Sequence, residues 1–133
     1  VASPSRWRSA HVWMAHFALS DAAAGTFRYA ERFAREAVGL AGVTAPPSEP
    51  SRVALEDWSI ASTASSASEF APLRLRARDD AFAVDLALEA GKPPVLQGER
   101  GLSQKGPEPG NASYYYSMTR LPARGTVTVA VVD

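Results

Sequence analysis

The sequence contains no cysteine, so disulfide bonds, thiol catalysis and zinc sites built from thiolates are all excluded. Its formal net charge is zero, and no electrostatic attraction to nucleic acid or to an anionic membrane surface is therefore expected. No apolar run approaches the roughly twenty residues that a membrane-spanning helix needs, and these residues show no signal-peptide pattern. We accordingly predict no nucleic-acid partner, no metal site and no cofactor.

A chain of 133 residues has the size of one domain, with a core that buries roughly two-thirds of its unfolded surface. It begins with Val1 rather than methionine and stops at Asp133, inside an apparent strand. We therefore expect residues 1–133 to be a single domain that is truncated at both ends and belongs to a longer protein. Missing targeting signals in such a piece leave its location open.

Strict alternation of leucine or alanine with arginine over residues 73–78 predicts a β-strand with one apolar and one basic face. Residues 81–89 repeat the alternation with Phe82, Val84 and Leu86 on one face and acidic residues on the other. The two segments predict an antiparallel hairpin. Its acidic side chains are expected to pair across the strands with the arginines, each pair contributing a few tenths of a kcal/mol.

Period-2 patterns elsewhere predict a mainly antiparallel all-β fold. Both faces of the first strand are largely apolar, so we expect both to be covered. Residues 29–40 also fit helical spacing, which leaves a short helix after the second strand as an alternative. Six or seven strands predict a barrel or a sandwich, with at most one short helix. The further predicted strands are residues 10–20, 26–31, 53–62, 112–119 and 125–132.

A Gly/Pro-rich loop that carries Gln97 and Arg100 runs directly into three consecutive tyrosines. Ordinary linkers rarely end on such a strand, so we interpret this segment as an ordered loop at a binding site. Tyr114 and Tyr116 share one face of the predicted strand, and Tyr115 takes the other. Aromatic rings with phenol groups suit an elongated apolar ligand with one polar end. Ordinary core packing of the tyrosines is the alternative.

Two residues are candidates for proton transfer. His16 is one, because histidine is the side-chain type suited to proton transfer near neutral pH, and a strand histidine that is hydrogen-bonded in a structural role is the alternative. Asp57 stands beside Trp58, and a carboxylate in such surroundings has a raised pKa and acts as a general acid. An ion pair between Asp57 and an arginine is the alternative. His11 and His16 lie an odd number apart, on opposite faces of one strand, and cannot share a metal.

Five strings of the sequence resemble, in this order, the bacterial carotenoid 1,2-hydratase/AttH-like family, whose members are often described as predicted secreted hydrolases. The resemblance covers well over half of the chain, and the loop with its tyrosines is the most specific part. It implies an incomplete lipocalin-like β-barrel, the first of two such domains in the full-length protein. The family's opening Trp/Tyr-rich strand and its later acidic-Trp segment are not present in these residues. The strings are VWMAHFALSD, AERFAREAVGLAG, VALEDWSI, KPPVLQGERGLSQKG and ASYYYSMTRL.

The resemblance implies binding of an elongated apolar molecule, an isoprenoid or a lipid, with hydration or cyclisation of that molecule by the full-length protein. A non-catalytic lipid carrier or envelope protein is the alternative. The implied partner is the second lipocalin-like domain of the same chain, and the implied location is periplasmic, secreted or membrane-associated. The candidate catalytic residues are Asp57 and His16, and the candidate ligand-binding residues are Trp58, Tyr114, Tyr116, Gln97 and Arg100.

Overall fold

A computed structural model describes residues 11–47, 50–65 and 71–130, and every regular element in these ranges is a β-strand. The chain divides into two compact units. The first comprises Val1–Leu88 with Arg124–Asp133, and the second comprises Glu89–Ala123. The predicted antiparallel β fold is confirmed. In the same ranges, no helix has the length and hydrophobicity that crossing a bilayer requires.

The first unit opens with a long hairpin of β1 (Val12–Asp21) and β2 (Thr26–Arg35). Alternating side chains explain its two faces, because successive residues of a strand point in opposite directions. At the turn, the Asp21 carboxylate accepts hydrogen bonds of 3.0 Å from the backbone N–H groups of Ala23 and Ala24. This is the turn-capping pattern that short acidic side chains favour.

A six-stranded sheet completes the first unit, with the order β12-β7-β6-β5-β4-β3. The order is open, with β12 and β3 at its edges, so these strands do not close into a barrel. The predicted hairpin of residues 73–78 and 81–89 is confirmed as β6 and β7, with Asp85 facing the arginines of β6. The strands are β3 (Ala41–Thr44), β4 (Arg52–Leu55), β5 (Trp58–Ser62), β6 (Leu73–Arg78), β7 (Phe82–Leu88) and β12 (Ala123–Val129).

The core of this unit lies between one face of the sheet and the inner face of the hairpin. Trp58, Ala77 and Val84 are buried there, and Phe17 of β1 packs against them. The Phe17 ring stands perpendicular to Trp58 at 5.8 Å and contacts Phe82 at 4.4 Å between ring centroids. Such aromatic pairs add roughly 0.5–1.5 kcal/mol beyond the area they bury.

The outer face of the hairpin is exposed, whereas we expected both faces of the first strand to be covered. Val12 and Met14 of β1 are 63% and 60% exposed, and Phe27, Tyr29 and Phe33 of β2 are 64%, 66% and 57% exposed. Apolar composition alone does not show whether a covering element is present within the chain. The first strand therefore has one packed face and one open apolar face.

Two local predictions are wrong. The alternative helix over residues 29–40 does not form, because Tyr29 and Phe33 are four residues apart and so also fit a strand, which is what β2 is. The predicted strand 53–62 is instead two strands, β4 and β5, joined by a turn at Glu56 and Asp57. Glu56 has a φ of 56°, a left-handed conformation that ends the extended backbone.

The second unit contains four short strands in two antiparallel pairs, β8 with β11 and β9 with β10. The predicted strand 112–119 is interrupted at Tyr115, whose N–H donates to the Gly101 carbonyl and whose carbonyl accepts from Gln97 N–H. Ala10 and residues 131–132, at the ends of two predicted strands, lie outside the described residues. The strands are β8 (Val95–Leu96), β9 (Leu102–Gln104), β10 (Ala112–Tyr114) and β11 (Tyr116–Ser117).

Candidate functional site

An apolar cavity of about 190 Å³ lies in the first unit, between the inner face of the β1–β2 hairpin and the six-stranded sheet. The strand registers create its floor, because Val53, Ile60 and Leu75 are successive cross-strand partners and so share one face of β4, β5 and β6. The lining includes Trp13, Ala15 and Phe17 from the hairpin and Val53, Leu55, Trp58, Ile60, Leu75 and Ala77 from the sheet.

The cavity is open to solvent on one side. Val53 and Ile60 line it and still expose 44% and 41% of their surface, whereas Leu55 and Trp58 are buried deeper in the unit. An apolar cavity of roughly 150 Å³ is large enough to hold benzene. This cavity therefore admits a ring or a branched end of an apolar molecule, with the remainder of a long molecule outside.

Trp13, one of the residues that line the cavity, carries a buried indole nitrogen. This Nε1 has no hydrogen-bond partner among the described residues. By contrast, the Trp58 Nε1–H donates to the Arg78 carbonyl over 2.7 Å. The two tryptophans of the cavity therefore differ in that only Trp13 has an unsatisfied donor.

A network of charged side chains connects the hairpin to the sheet beside the cavity. It consists of Arg32, Glu56, Asp57 and Arg78, together with the ring of Trp58. Arg32 Nη1 donates to Asp57 Oδ1 and lies 3.1 Å from Glu56 Oε2, while Nη2 donates to the Arg78 carbonyl over 3.1 Å. The Arg32 guanidinium also lies over the Trp58 ring, 4.5 Å from its centroid. Planar arginine suits this combination of paired hydrogen bonds and ring stacking.

The Asp57 carboxylate is ionised by this network rather than protonated. The hydrogen bond from Arg32 is the main reason that the pKa of the carboxyl lies below its ordinary value. Partial desolvation opposes this effect, and the charges of Arg32 and Arg78 add smaller lowering contributions. The expectation that the neighbouring tryptophan raises the pKa of Asp57 is therefore wrong, because the Trp58 ring stacks against the Arg32 guanidinium that pairs with Asp57. The ion-pair alternative describes the observed contacts.

His16 is one of the residues that line the cavity, but the alternation along β1 directs its side chain to the outer face of the hairpin. Its Nε2 is 3.6 Å from Glu31 Oε2, its cross-strand partner, and its ring meets the edge of Phe33. The His16 side chain is 61% exposed. The structure thus brings Asp57 and Trp58 together near the cavity, whereas the His16 side chain is directed to the outer face of β1.

The remaining predicted site residues belong to the second unit. Gln97 Nε2 donates to Ser117 Oγ over 3.2 Å, and Arg100 has a left-handed φ of 52° in a tight turn. The tyrosines expose large fractions of their surface: 89% for Tyr114, 47% for Tyr115 and 50% for Tyr116. They are therefore not core residues of this unit, and the break at Tyr115 places Tyr114 and Tyr116 in different strand pairs.

Sequence reasoning missed Arg32 and the Trp13 donor. A signal for Arg32 was present, because Arg32 alternates with Tyr29, Glu31 and Phe33 of β2 and so falls at an inward position of that strand. A cation at an inward position requires partners. No sequence signal marks the unsatisfied indole, since that depends on where other chain segments place their acceptors.

The chain is similar to known proteins in sequence and in fold. A family model described as AttH-like matches residues 1–132. A crystal structure of a protein from Nitrosomonas europaea, proposed to be an AttH, is similar at 31% identity with a TM-score of 0.70. The match covers 89% of this chain and 34% of that one, so the chain spans about a third of the solved protein's length. No curated protein matches the sequence.

Proposed function

Because this chain belongs to the AttH-like family, we propose that it forms an apolar-ligand-binding part of a longer protein. The resemblance noted in the sequence is thereby confirmed for the AttH-like family. Carotenoid 1,2-hydratase chemistry, a lipocalin-like partner domain and an isoprenoid or lipid as the ligand belong to the proposal. The single observation that supports it most is the apolar cavity between the β1–β2 hairpin and the sheet.

The cavity favours a ligand that is apolar at the end it inserts. Aromatic and branched aliphatic side chains dominate its lining, which is typical of small-molecule sites. The Arg32 network beside it is internally paired, so no net charge is offered to an ionic ligand. A lipid or isoprenoid whose terminal ring or branch enters the cavity fits both its size and its polarity.

Binding is better supported than catalysis by the described residues. A general acid has to carry its proton near neutral pH, and the paired Asp57 carboxylate does not. His16 belongs to the cavity lining, but its side chain is 61% exposed and its Nε2 lies 3.6 Å from Glu31 Oε2 on the outer face of the hairpin. Hydration or cyclisation in the full-length protein would thus need a proton donor other than Asp57 in its present pairing.

The exposed outer face of the hairpin supports the proposal of a partner domain. Its large apolar side chains lie together on one surface, and contiguous exposed apolar patches mark interaction sites. We propose that the second lipocalin-like domain of the full-length chain covers this face. The residues concerned are Val12, Met14, Phe27, Tyr29 and Phe33.

A charge placed in the cavity is expected to abolish binding. Ile60 is half-exposed, so Ile60→Glu is compatible with folding, yet its carboxylate would have to be desolvated by an apolar ligand. We expect at least about a tenfold loss of affinity for a fluorescent fatty-acid or polyene probe, measured with the full-length protein.

The control is Ala61→Glu, the next residue along β5, whose side chain takes the opposite face of the sheet. Its cross-strand partners are Arg52 and Arg74, which favour a carboxylate. Affinity of the Ala61→Glu protein should remain within about twofold of the wild type. Equal binding by both variants would show that the probe binds elsewhere.

The tyrosines of the second unit are proposed as an apolar contact surface of that unit by itself, with Gln97 and Arg100 as its polar groups. The large exposed fractions of these aromatic side chains support this proposal, because an apolar ligand can bury them without displacing existing packing. We expect Tyr116→Ala to weaken binding of a long apolar ligand by roughly 1–3 kcal/mol. Tyr115→Ala should mainly reduce the free energy of unfolding, because its ring contacts Lys105. Equal and small effects of both changes on affinity would remove the tyrosines from the site.

A further inference from the structure

Alanine is the exception among the inward-facing residues of β1. Trp13, Phe17 and Leu19 occupy the other inward positions, and Ala15 stands between the two aromatic residues. Larger and β-branched side chains are usual on a half-buried strand face, because they pack well against it, whereas alanine is depleted there. Trp13 and Phe17 are four residues apart, about 13 Å along the strand. Ala15 therefore leaves a gap in the inner face of the hairpin, with an aromatic residue at each end.

A second alanine lines the same cavity from the sheet. Ala77 is buried on the inner face of β6, and Ala15 packs against the buried cluster to which Ala77 belongs. Protein interiors are normally close-packed, with few spaces larger than a water molecule. Two small residues, one on each wall, therefore leave unfilled a part of the space of about 190 Å³. A molecule that enters this space supplies the contacts that the walls lack.

Room for Arg32 does not account for Ala15 by itself. Arg32 is the cross-strand partner of Ala15, and its guanidinium extends to Asp57 and to the face of Trp58. If the Arg32 side chain covered Ala15 completely, Ala15 would not line the cavity, but it does. The small side chain thus leaves space that Arg32 does not fill.

We infer that Ala15 determines ligand selectivity: it makes the cavity wide enough for a terminal ring or a branched end, and it favours such ligands over unbranched chains. This assignment rests on the proposed function, because it names the shape of the apolar molecule that occupies the cavity. An unbranched chain is narrower than a six-membered ring, so it leaves part of the space beside Ala15 empty. Wall atoms without a neighbour there lose their dispersion contacts, and the unbranched ligand binds more weakly.

Two alcohols with the same number of carbon atoms test this selectivity, because 3-cyclohexylpropan-1-ol ends in a ring and 1-nonanol is unbranched. Their affinities are measured by NMR titration of the full-length protein and are compared after correction for partition into an apolar solvent. We expect the ring-ended alcohol to bind the wild type at least about threefold more tightly than 1-nonanol. Equal affinities, or tighter binding of 1-nonanol, would overturn the inference.

The variant Ala15→Leu places a larger side chain in the gap. We expect it to weaken binding of the ring-ended alcohol about tenfold and binding of 1-nonanol less than about threefold, because the narrower chain still fits. Ala61→Leu is the control, since Ala61 lies on the opposite face of the sheet, and it should leave both affinities within about twofold of the wild type. Equal losses for the two alcohols in Ala15→Leu would overturn the inference.

A measurement on the wild type keeps the test independent of how the variant folds. With ¹³C-labelled alanine methyl groups, bound 3-cyclohexylpropan-1-ol should show nuclear Overhauser effects from its ring protons to Ala15 and Ala77, which line the cavity. Ring contacts that exclude Ala15 would overturn the inference. If neither alcohol binds the wild type, the proposed apolar-ligand function itself is overturned, which is a separate result.

Discussion

Replacement of Arg32 by alanine is expected to lower the free energy of unfolding by about 2–3 kcal/mol. The change removes the pairing with Asp57 and Glu56 and a hydrogen bond to the Arg78 carbonyl. It also removes the guanidinium from the face of Trp58. The arginine is only 22% exposed, so solvent screens these contacts less than at a typical surface pair.

Arg32→Lys should recover less than half of that loss. Lysine keeps the charge but not the planar fork that serves a carboxylate, a carbonyl and a ring at once. Arg52→Ala is the matched control, because Arg52 lies on the exposed part of β4 and is expected to change stability by no more than about 0.5 kcal/mol. Similar melting temperatures for Arg32→Ala and Arg52→Ala would contradict the role assigned to the network.

The same variant should also change how stability depends on pH. Asp57 has a lowered pKa in the folded protein, so its contribution to stability is present above the ordinary aspartate pKa of about 3.9 and is lost as the pH falls through the lowered value. Arg32→Ala removes the main cause of this shift. Asp85 is paired with Arg74 in both proteins, and its contribution cancels in the difference. The stability gap between wild type and variant should therefore narrow below about pH 4.

Gly125→Ala is expected to be the other severe change, with a loss of about 3 kcal/mol or more. Gly125 lies in β12, the strand next to β7, and has a φ of 150°, which residues with side chains rarely adopt. An added Cβ would overlap the Asp85 carbonyl oxygen on β7. Because that oxygen is backbone, the neighbouring strand would have to move to relieve the overlap.

Gly42→Ala provides the comparison for this prediction. Gly42 also lies in a strand, β3, yet nothing is within 4 Å of the Cβ that alanine would add there. We expect Gly42→Ala to be neutral or slightly stabilising, because alanine restricts the unfolded chain. The free energy of unfolding of both variants is measured by chemical denaturation. Equal values for Gly125→Ala and Gly42→Ala would contradict the sheet arrangement.

Local patterns predicted the fold best where charge and hydrophobicity alternate together. The β6–β7 hairpin is such a case, because arginines on one strand and Asp85 on the other fix which faces meet. In β2, the spacing of Tyr29 and Phe33 satisfies both a helix and a strand, and only the pairing with β1 decides between them. The turn at Glu56 lacked the glycine or asparagine that marks a left-handed position.

The candidate site was less predictable, because its chemistry depends on residues that are distant in sequence. Asp57 was recognisable as a carboxylate beside a tryptophan, but its pKa is set by Arg32, which a different hairpin supplies. The cavity likewise depends on how the hairpin packs against the sheet, which neither segment specifies alone. The free donor of Trp13 is apparent only once every neighbouring acceptor has been placed.

The most direct test of the central claim is to observe which side chains contact a bound apolar probe. Methyl-labelled, full-length protein with α-methylstyrene should show intermolecular nuclear Overhauser effects to Leu55, Ile60 and Leu75, which line the cavity. Contacts confined to Val12 and Tyr29, which lie on the outer face of the hairpin and do not line the cavity, would contradict the account, as would the absence of any contact at saturating probe.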